Sequence, residues 1–290
     1  MAEPTADTTA ESQPLEPRPL EARPVALVTG ASRGLGKAIA LALANAGYDL
    51  AIGARTLVDG DRRLESDESI VVPGGLDTTA AGIEAAGGRA LSLYMDVLDR
   101  ATVEAAVHHT VAHFERLDVV VNNAIYQGPG AMLEFMDLTD EQINNLFEGN
   151  LFAQLAVLHA ALPTMIAAGG GTVVNMISAT AYTTPANRIG SGGWGMGYAM
   201  TKAAFERVAP MLEVEHAADG IRAFNIDPGH VATERQVASG RAKQYEGNFT
   251  AGTPEQIGAA VAWLCTNPAA EQHRGQIVLA QKLTQDHGLL

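Results

Sequence analysis

Short apolar runs alternate with longer stretches of helical periodicity along most of the chain, and that alternation predicts its elements. Val25–Thr29 reads as a buried strand, followed by a helix over Leu35–Ala46 that stops at Gly47. Leu50–Ala54 is a second strand, and Ala80–Ala86 belongs to a helix that ends before Gly87 and Gly88. Ala90–Tyr94 is a third strand, with Asp99 placed to cap a helix running to about Glu115. Val119–Asn122 is a fourth. Thr139 and Gln142 then form a capping box for a long helix through the 150s and 160s. Thr172–Ile177 is a fifth strand, and Met196–Ala218 reads as one long helix. Ala223–Ile226 is a sixth. Thr253, Pro254 and Gln256 open a helix to Cys265, with proline at its first position, and Gln276–Ala280 closes as a seventh strand.

Strands separated by helices of ten or more residues imply a parallel sheet covered on both faces, an α/β doubly wound (Rossmann-like) fold of about seven strands. Residues 1–22 read as a disordered tail and 23–290 as a single domain. Three polar or glycine-rich segments exceed the minimal pattern: 56–79, 183–197 and 234–252, the last carrying Arg235, Arg241 and Lys243. In such a fold ligands sit beyond the carboxyl ends of the strands. The residues near Gly30, Ala54, Asp96, Asn123, Ser178 and Asp227 all follow such ends.

Composition narrows the partners. With 47% hydrophobic and 18% charged residues the chain can bury a sizeable core. A formal net charge of −14 argues against a broad nucleic-acid surface, though a few local cations suffice for a phosphorylated cofactor. The lone cysteine, Cys265, cannot form an intrachain disulfide and fits a reducing compartment. The N-terminus lacks the apolar core of a signal peptide. Leu151–Ala168 is apolar, but Gln154, His159 and Pro163 interrupt it, and a core or interface helix is expected rather than a membrane span. His108, His109 and His113 share one helix without a carboxylate cluster, so no metal site is expected. A cytoplasmic location follows as an expectation.

Gly30, Gly34 and Gly36, with Ser32, Arg33 and Leu35 among them, lie directly between a predicted strand and a predicted helix. Glycine permits the tight turn, and the free N–H groups of a helix start suit phosphate oxygens. The second strand ends at Gly53-Ala54-Arg55, with no carboxylate to bind a ribose 2′-hydroxyl. Arg33 and Arg55 together favour a 2′-phosphate, hence NADP(H) over NAD(H). Further along, Tyr198 and Lys202 share a helix face at i and i+4. An ammonium beside a phenol lowers the phenol pKa and makes it a proton donor and acceptor near neutrality.

The ordered set Thr29–Gly36, Asp96-Val97, Asn122-Asn123-Ala124, Asn150, Ser178, Tyr198 with Lys202, and Asp227-Pro228-Gly229 leading to Thr233 resembles a short-chain dehydrogenase/reductase of the classical type. The similarity runs from about Pro24 to Ile277. It implies that Tyr198 exchanges the proton at the substrate oxygen and Ser178 hydrogen-bonds that oxygen. It implies that Lys202 holds the nicotinamide ribose and Asn150 positions a relay water. Asp96 and Val97 would meet the adenine, Asn123 and Ala124 the adenosine ribose, and Pro228, Gly229, Val231 and Thr233 the nicotinamide side. A structural alternative stands beside three of these: Asn150 as a helix residue with a local hydrogen bond, Ser178 as a strand-end hydroxyl satisfying backbone, and Asp96 as a turn cap.

The chain departs from the family pattern in three places. Ile125 stands where glycine is usual, the Ser178–Tyr198 spacing is long, and the usual Asp-Gly-Gly near the C-terminus is replaced by Leu279-Ala280-Gln281-Lys282. The resemblance implies an oxidoreductase interconverting a ketone and a secondary alcohol, a carbonyl reductase or alcohol dehydrogenase, in a homo-oligomer. Tyr126, Tyr182, Trp194 and Met196 suggest a hydrophobic substrate. The alternatives are an epimerase or dehydratase using the same tyrosine, or a non-catalytic NADP(H)-binding regulator.

Overall fold

The computed structural model describes residues 23–64, 67–240 and 251–290. The expected tail over 1–22, and Arg241 and Lys243, lie outside the described residues. Seven strands form one parallel sheet: β1 (Val25–Thr29), β2 (Asp49–Ala54), β5 (Ala90–Tyr94), β6 (Val119–Asn122), β7 (Gly171–Met176), β8 (Ile221–Asp227) and β9 (Ile277–Leu279). Their order is β5-β2-β1-β6-β7-β8-β9, which reverses direction between β1 and β6 and opens a crevice there. All seven were expected: the inner strands, buried on both faces, read as apolar runs rather than as alternation, while the edge strands β5 and β9 are partly exposed. Ala26 and Val28 of β1 pack on one face of the sheet; Val25 and Leu27 pack on the other.

The first face is covered by α1 (Gly34–Asn45), α2 (Leu76–Ala85), α9 (Pro254–Thr266) and α10 (Ala280–His287). The second is covered by α3 (Arg100–Phe114), α5 (Ala153–Ala167) and α7 (Val208–His216). Asp99 caps α3, and both predicted capping boxes are present, at α4 (Asp140–Phe147) and α9. The apolar stretch from Asp140 to Ala167 is long enough to cross a membrane by length and composition. It runs through α4, a π-turn at Glu148–Phe152 and α5, and its inner side chains, Leu146, Val157 and Met165 among them, are fully buried.

Three differences from the sequence reading stand out, two of them with a physical cause. The expected helix over 196–218 is two, α6 (Met196–Glu206) and α7, meeting at Arg207. Pro210 has no N–H for the Glu206 carbonyl four residues back. Asn225 Nδ2 donates to that carbonyl instead, at 2.6 Å. Within 56–79, Arg63–Leu64 (β3) and Asp67–Val71 (β4) pair antiparallel apart from the main sheet. The mostly exposed β4 lacks the apolar run that marks the central strands. Finally, the chain after β9 forms α10, and α8 (Glu234–Ala238) follows Thr233.

Helices α1 and α9 meet closely at Gly258, where a Cβ would stand 2.6 Å from the Ala38 carbonyl oxygen. That contact sets how α1 lies on the sheet. Gly258→Ala is expected to lower unfolding free energy by about 1–3 kcal/mol through overpacking, measured by urea denaturation.

Candidate active site

At the β1/β6 crevice the glycine turn is built by close approach. Gly30 and Gly34 adopt positive φ (71° and 55°), and a Cβ on Gly36 would lie 2.2 Å from the Gly30 carbonyl oxygen. The Gly30 amide donates to the Gly53 carbonyl at 2.7 Å. Thr29 Oγ1 accepts from the amides of Asn123 (3.0 Å) and Ala124 (2.9 Å), while Asn123 Nδ2 donates to the Thr29 carbonyl at 2.8 Å. Asn123 and Ala124 therefore brace the turn from β6. Ser32 is buried, and Leu35 packs against the core.

The turn also holds an anion. Arg33 gives α1 no side-chain cap, and Glu234 of α8 accepts from the Gly34 amide at 2.9 Å. A carboxylate on the first amide of a helix behind a glycine turn is what a phosphate-binding cradle accommodates, so these residues fit the diphosphate of a dinucleotide.

Arg33 and Arg55 have different surroundings. Arg33 donates to the carbonyls of Pro73 (2.7 Å) and Gly74 (2.6 Å) in the extra segment, and burial, followed by nearby Arg62, lowers its pKa. Arg55 is 41% exposed and 4.0 Å from Asp96 Oδ2. Asp96 Oδ1 caps the following turn by accepting from the Leu98 amide, and Val97 packs close to Gly149. The turn-cap reading of Asp96 is thus satisfied by one oxygen, while the other faces Arg55.

Toward the C-terminal half, Ser178 follows β7 and opens a short 3-10 turn, accepting from the Thr180 amide at 3.3 Å. Its hydroxyl lies near enough to Tyr198 to favour the ionised phenol, so the long 183–197 segment does not keep the two apart. Arg188 pairs with Glu134, tying that segment to the 128–135 stretch. Lys202, 2% exposed, donates to the Met176 carbonyl at 2.6 Å and lies 5.9 Å from the Tyr198 ring centroid.

The electrostatics reverse one expectation. Tyr198 is pushed above its ordinary value, by burial first and then by Asp227, although the Ser178 hydroxyl opposes the shift. Lys202 is pulled down to about 7 by burial, with Asp227 opposing. A half-neutral amine engaged with a carbonyl does not depress the phenol as a full ammonium would.

Asn150 lies fully buried in the π-turn, where it holds Tyr126 on both backbone groups: Oδ1 accepts from the amide at 2.7 Å and Nδ2 donates to the carbonyl at 3.1 Å. It reaches α6 through Thr201 Oγ1 at 3.4 Å. Pro228, Gly229, Val231 and Thr233 form the loop after β8. Val231 is buried, and Thr233 packs near Gly34.

Two residues of the site escaped the sequence reading, and a third, Asp227, was named there only as part of a motif. Gln281 of α10 donates to the carbonyls of Pro228 (2.9 Å) and His230 (3.1 Å), which no motif foretold. Asp227, nearly buried, accepts from the Gly229 amide at 2.9 Å and from the Tyr182 hydroxyl; an acid directly before Pro228-Gly229 was its one signal. Glu234, an acid just after Thr233, is the other that escaped. His108 and His109 are exposed, and among the described residues no group of three His, Cys, Asp or Glu could hold a metal.

The short chain dehydrogenase family model matches residues 24–244, and the chain belongs to that family, oxidoreductases of CH–OH donors that use a nicotinamide cofactor. It is 31% identical to YgfF, an uncharacterized oxidoreductase of Escherichia coli, over 85% of this chain and 94% of that one. A putative short-chain alcohol dehydrogenase from Sinorhizobium meliloti superposes with a TM-score of 0.75 at 29% identity, covering 89% and 95% of the two chains. A 3-oxoacyl (acyl-carrier-protein) reductase from Agrobacterium tumefaciens, with NADP bound, superposes at 0.72 with 26% identity, covering 89% and 93%.

Burial of Lys202 has a pH signature. Between about pH 7 and pH 10 the unfolded chain carries a proton on this amine that the folded chain has shed, so stability rises with pH in that window. Below pH 7 both states are protonated and the penalty is constant. Against Lys202→Met, the cofactor-free wild type is expected to gain up to about 1.4 kcal/mol per pH unit between pH 7 and 9, by urea denaturation. A pH-independent difference would mean that the folded amine keeps its charge.

Proposed function

We propose that this protein is an NADP(H)-dependent reductase or dehydrogenase that interconverts a hydrophobic ketone and its secondary alcohol. The observation that carries the reading is the convergence of Ser178, Tyr198 and Lys202 at the carboxyl ends of β7 and β8, in the fold that also presents the glycine turn. A nicotinamide cofactor would supply or accept the hydride. Tyr198, protonated at neutral pH, donates to the developing alkoxide, and Ser178 steadies that oxygen. Lys202, near its midpoint at pH 7, restores the phenol proton.

The half-buried Tyr126 and Trp194, with Met196, supply apolar surface, while Tyr182 brings the Asp227 carboxylate to the same region. We place the protein in the cytoplasm, as a homo-oligomer, as part of the same reading. The epimerase, dehydratase and regulator alternatives have no observation in their favour.

Support for NADP(H) comes from Arg55, exposed at the end of β2, a strand end with no carboxylate of its own, beside Asp96 at 4.0 Å. Arg33, held by two carbonyls, is the weaker partner for a 2′-phosphate. Arg55→Asp is expected to weaken NADPH binding by about tenfold or more while leaving NADH within about threefold, by fluorescence titration. Equal losses would remove Arg55 from the 2′-phosphate. Tyr198→Phe is expected to bind NADPH normally and to lose at least about 10²-fold in kcat on a panel of hydrophobic ketones, followed by NADPH absorbance. Retained turnover would end the assignment of the acid.

A further inference from the structure

The first amide of α1 already has an anionic partner, and that partner comes from the chain itself. Glu234 Oε2 accepts from the Gly34 N–H across 200 residues of sequence, at 2.9 Å. Its charge also acts on Arg33, and the neighbouring Thr233 Cγ2 would lie 3.3 Å from a Cβ at Gly34. Glu234 thus brings the start of α8 onto the glycine turn. Yet α8 is not tightly packed behind. Among the described residues an open groove of about 460 Å³ lies between it and the β3–β4 hairpin, lined by Ile70, Val71, Pro73, Glu234, Val237 and Ala238.

We propose that Glu234 is an intramolecular competitor for the cofactor diphosphate: its carboxylate holds the Gly34 amide in the free protein and is displaced when the dinucleotide binds. The proposal rests on the assignment of the glycine turn as the diphosphate cradle. Two anions cannot share one N–H at hydrogen-bonding distance, because their mutual repulsion outweighs what either gains from the helix start. Binding must therefore break the Glu234 contact and shift the start of α8. The apparent affinity is lower than the bare cradle would give, by the fraction of molecules in which the amide is free. The diphosphate is common to both nicotinamide cofactors, so the reduction is the same for each. The 2′-phosphate plays no part in it.

The test titrates NADPH and NADH separately into the full-length wild type, Glu234→Gln and Glu234→Ala, by calorimetry, alongside the Tm of each cofactor-free protein. Both variants are expected to bind both cofactors more tightly, Glu234→Ala by about tenfold and by a similar factor for NADPH and NADH. Glu234→Gln keeps an acceptor without the charge and should fall between. The cofactor-free Tm of Glu234→Ala should drop, since the Gly34 amide loses its partner. Unchanged or weaker binding in both variants would overturn the proposal, leaving Glu234 a merely structural cap. A gain confined to NADPH would also overturn it, by placing Glu234 at the 2′-phosphate. If the wild type and both variants took up neither cofactor, the diphosphate assignment itself would fail, and the competition with it.

Discussion

The hydroxyl of Thr29 is the junction on which the site depends. Buried at the end of β1, it donates to the Val121 carbonyl and accepts from the amides of Asn123 and Ala124. Asn123 returns the contact by donating to the Thr29 carbonyl. These bonds clamp the ends of β1 and β6 at the point where the strand order reverses, and they fix where the chain leaves β1. The turn that follows has no freedom left: Gly30 is held against Ala124, and Gly36 against the Gly30 carbonyl. The start of α1 is therefore aimed at the crevice by the sheet, through hydrogen bonds centred on the buried Thr29 hydroxyl.

Across the crevice, burial does for the proton chemistry what the clamp does for geometry. Desolvation moves Tyr198 and Lys202 in opposite directions, each toward its neutral form. Asp227 strengthens the first shift and opposes the second. In the cofactor-free protein the phenol consequently keeps its proton and the amine sits close to neutrality. That is a different balance from an ammonium forcing a phenolate. Tyr182, bonded to Asp227, links this balance to the start of the 183–197 segment, which Arg188 and Glu134 fasten at its other side.

The elements around the crevice hold one another through contacts far apart in sequence. Asn150 fixes the backbone of Tyr126, and Gln281 fixes the loop after β8 from the last helix. Arg33 secures the extra segment through its Pro73 and Gly74 carbonyls, so a residue of the glycine turn serves as a strut. Among these, Gln281 lies where the C-terminal family motif is missing: its side-chain amide on α10 bonds to the Pro228 carbonyl and shares the His230 carbonyl with the Gly252 amide.

The seven strands, the two capping boxes and the three glycines of the turn were legible in the chain because each obeys a local rule. A doubly buried strand must be apolar, a helix start needs its acceptor side chain, and a backbone approach of this closeness excludes a Cβ. The pairing of Tyr198 with Lys202 was legible for the same reason, since helical spacing alone puts them on one face. Other features depended on residues distant in sequence. The break at Arg207 required Asn225 to take the carbonyl that Pro210 leaves free. The exposed β3–β4 hairpin carries no apolar signature, and the engagement of Arg33 depends on where that hairpin folds back. The direction of the Tyr198 shift came from burial and from Asp227, which no spacing along α6 can reveal. Sequence determined what each segment must be, because hydrogen bonding and side-chain sterics act over a few residues. Tertiary structure decided which charges and carbonyls face one another, because electrostatics and desolvation are set by whatever the fold brings near.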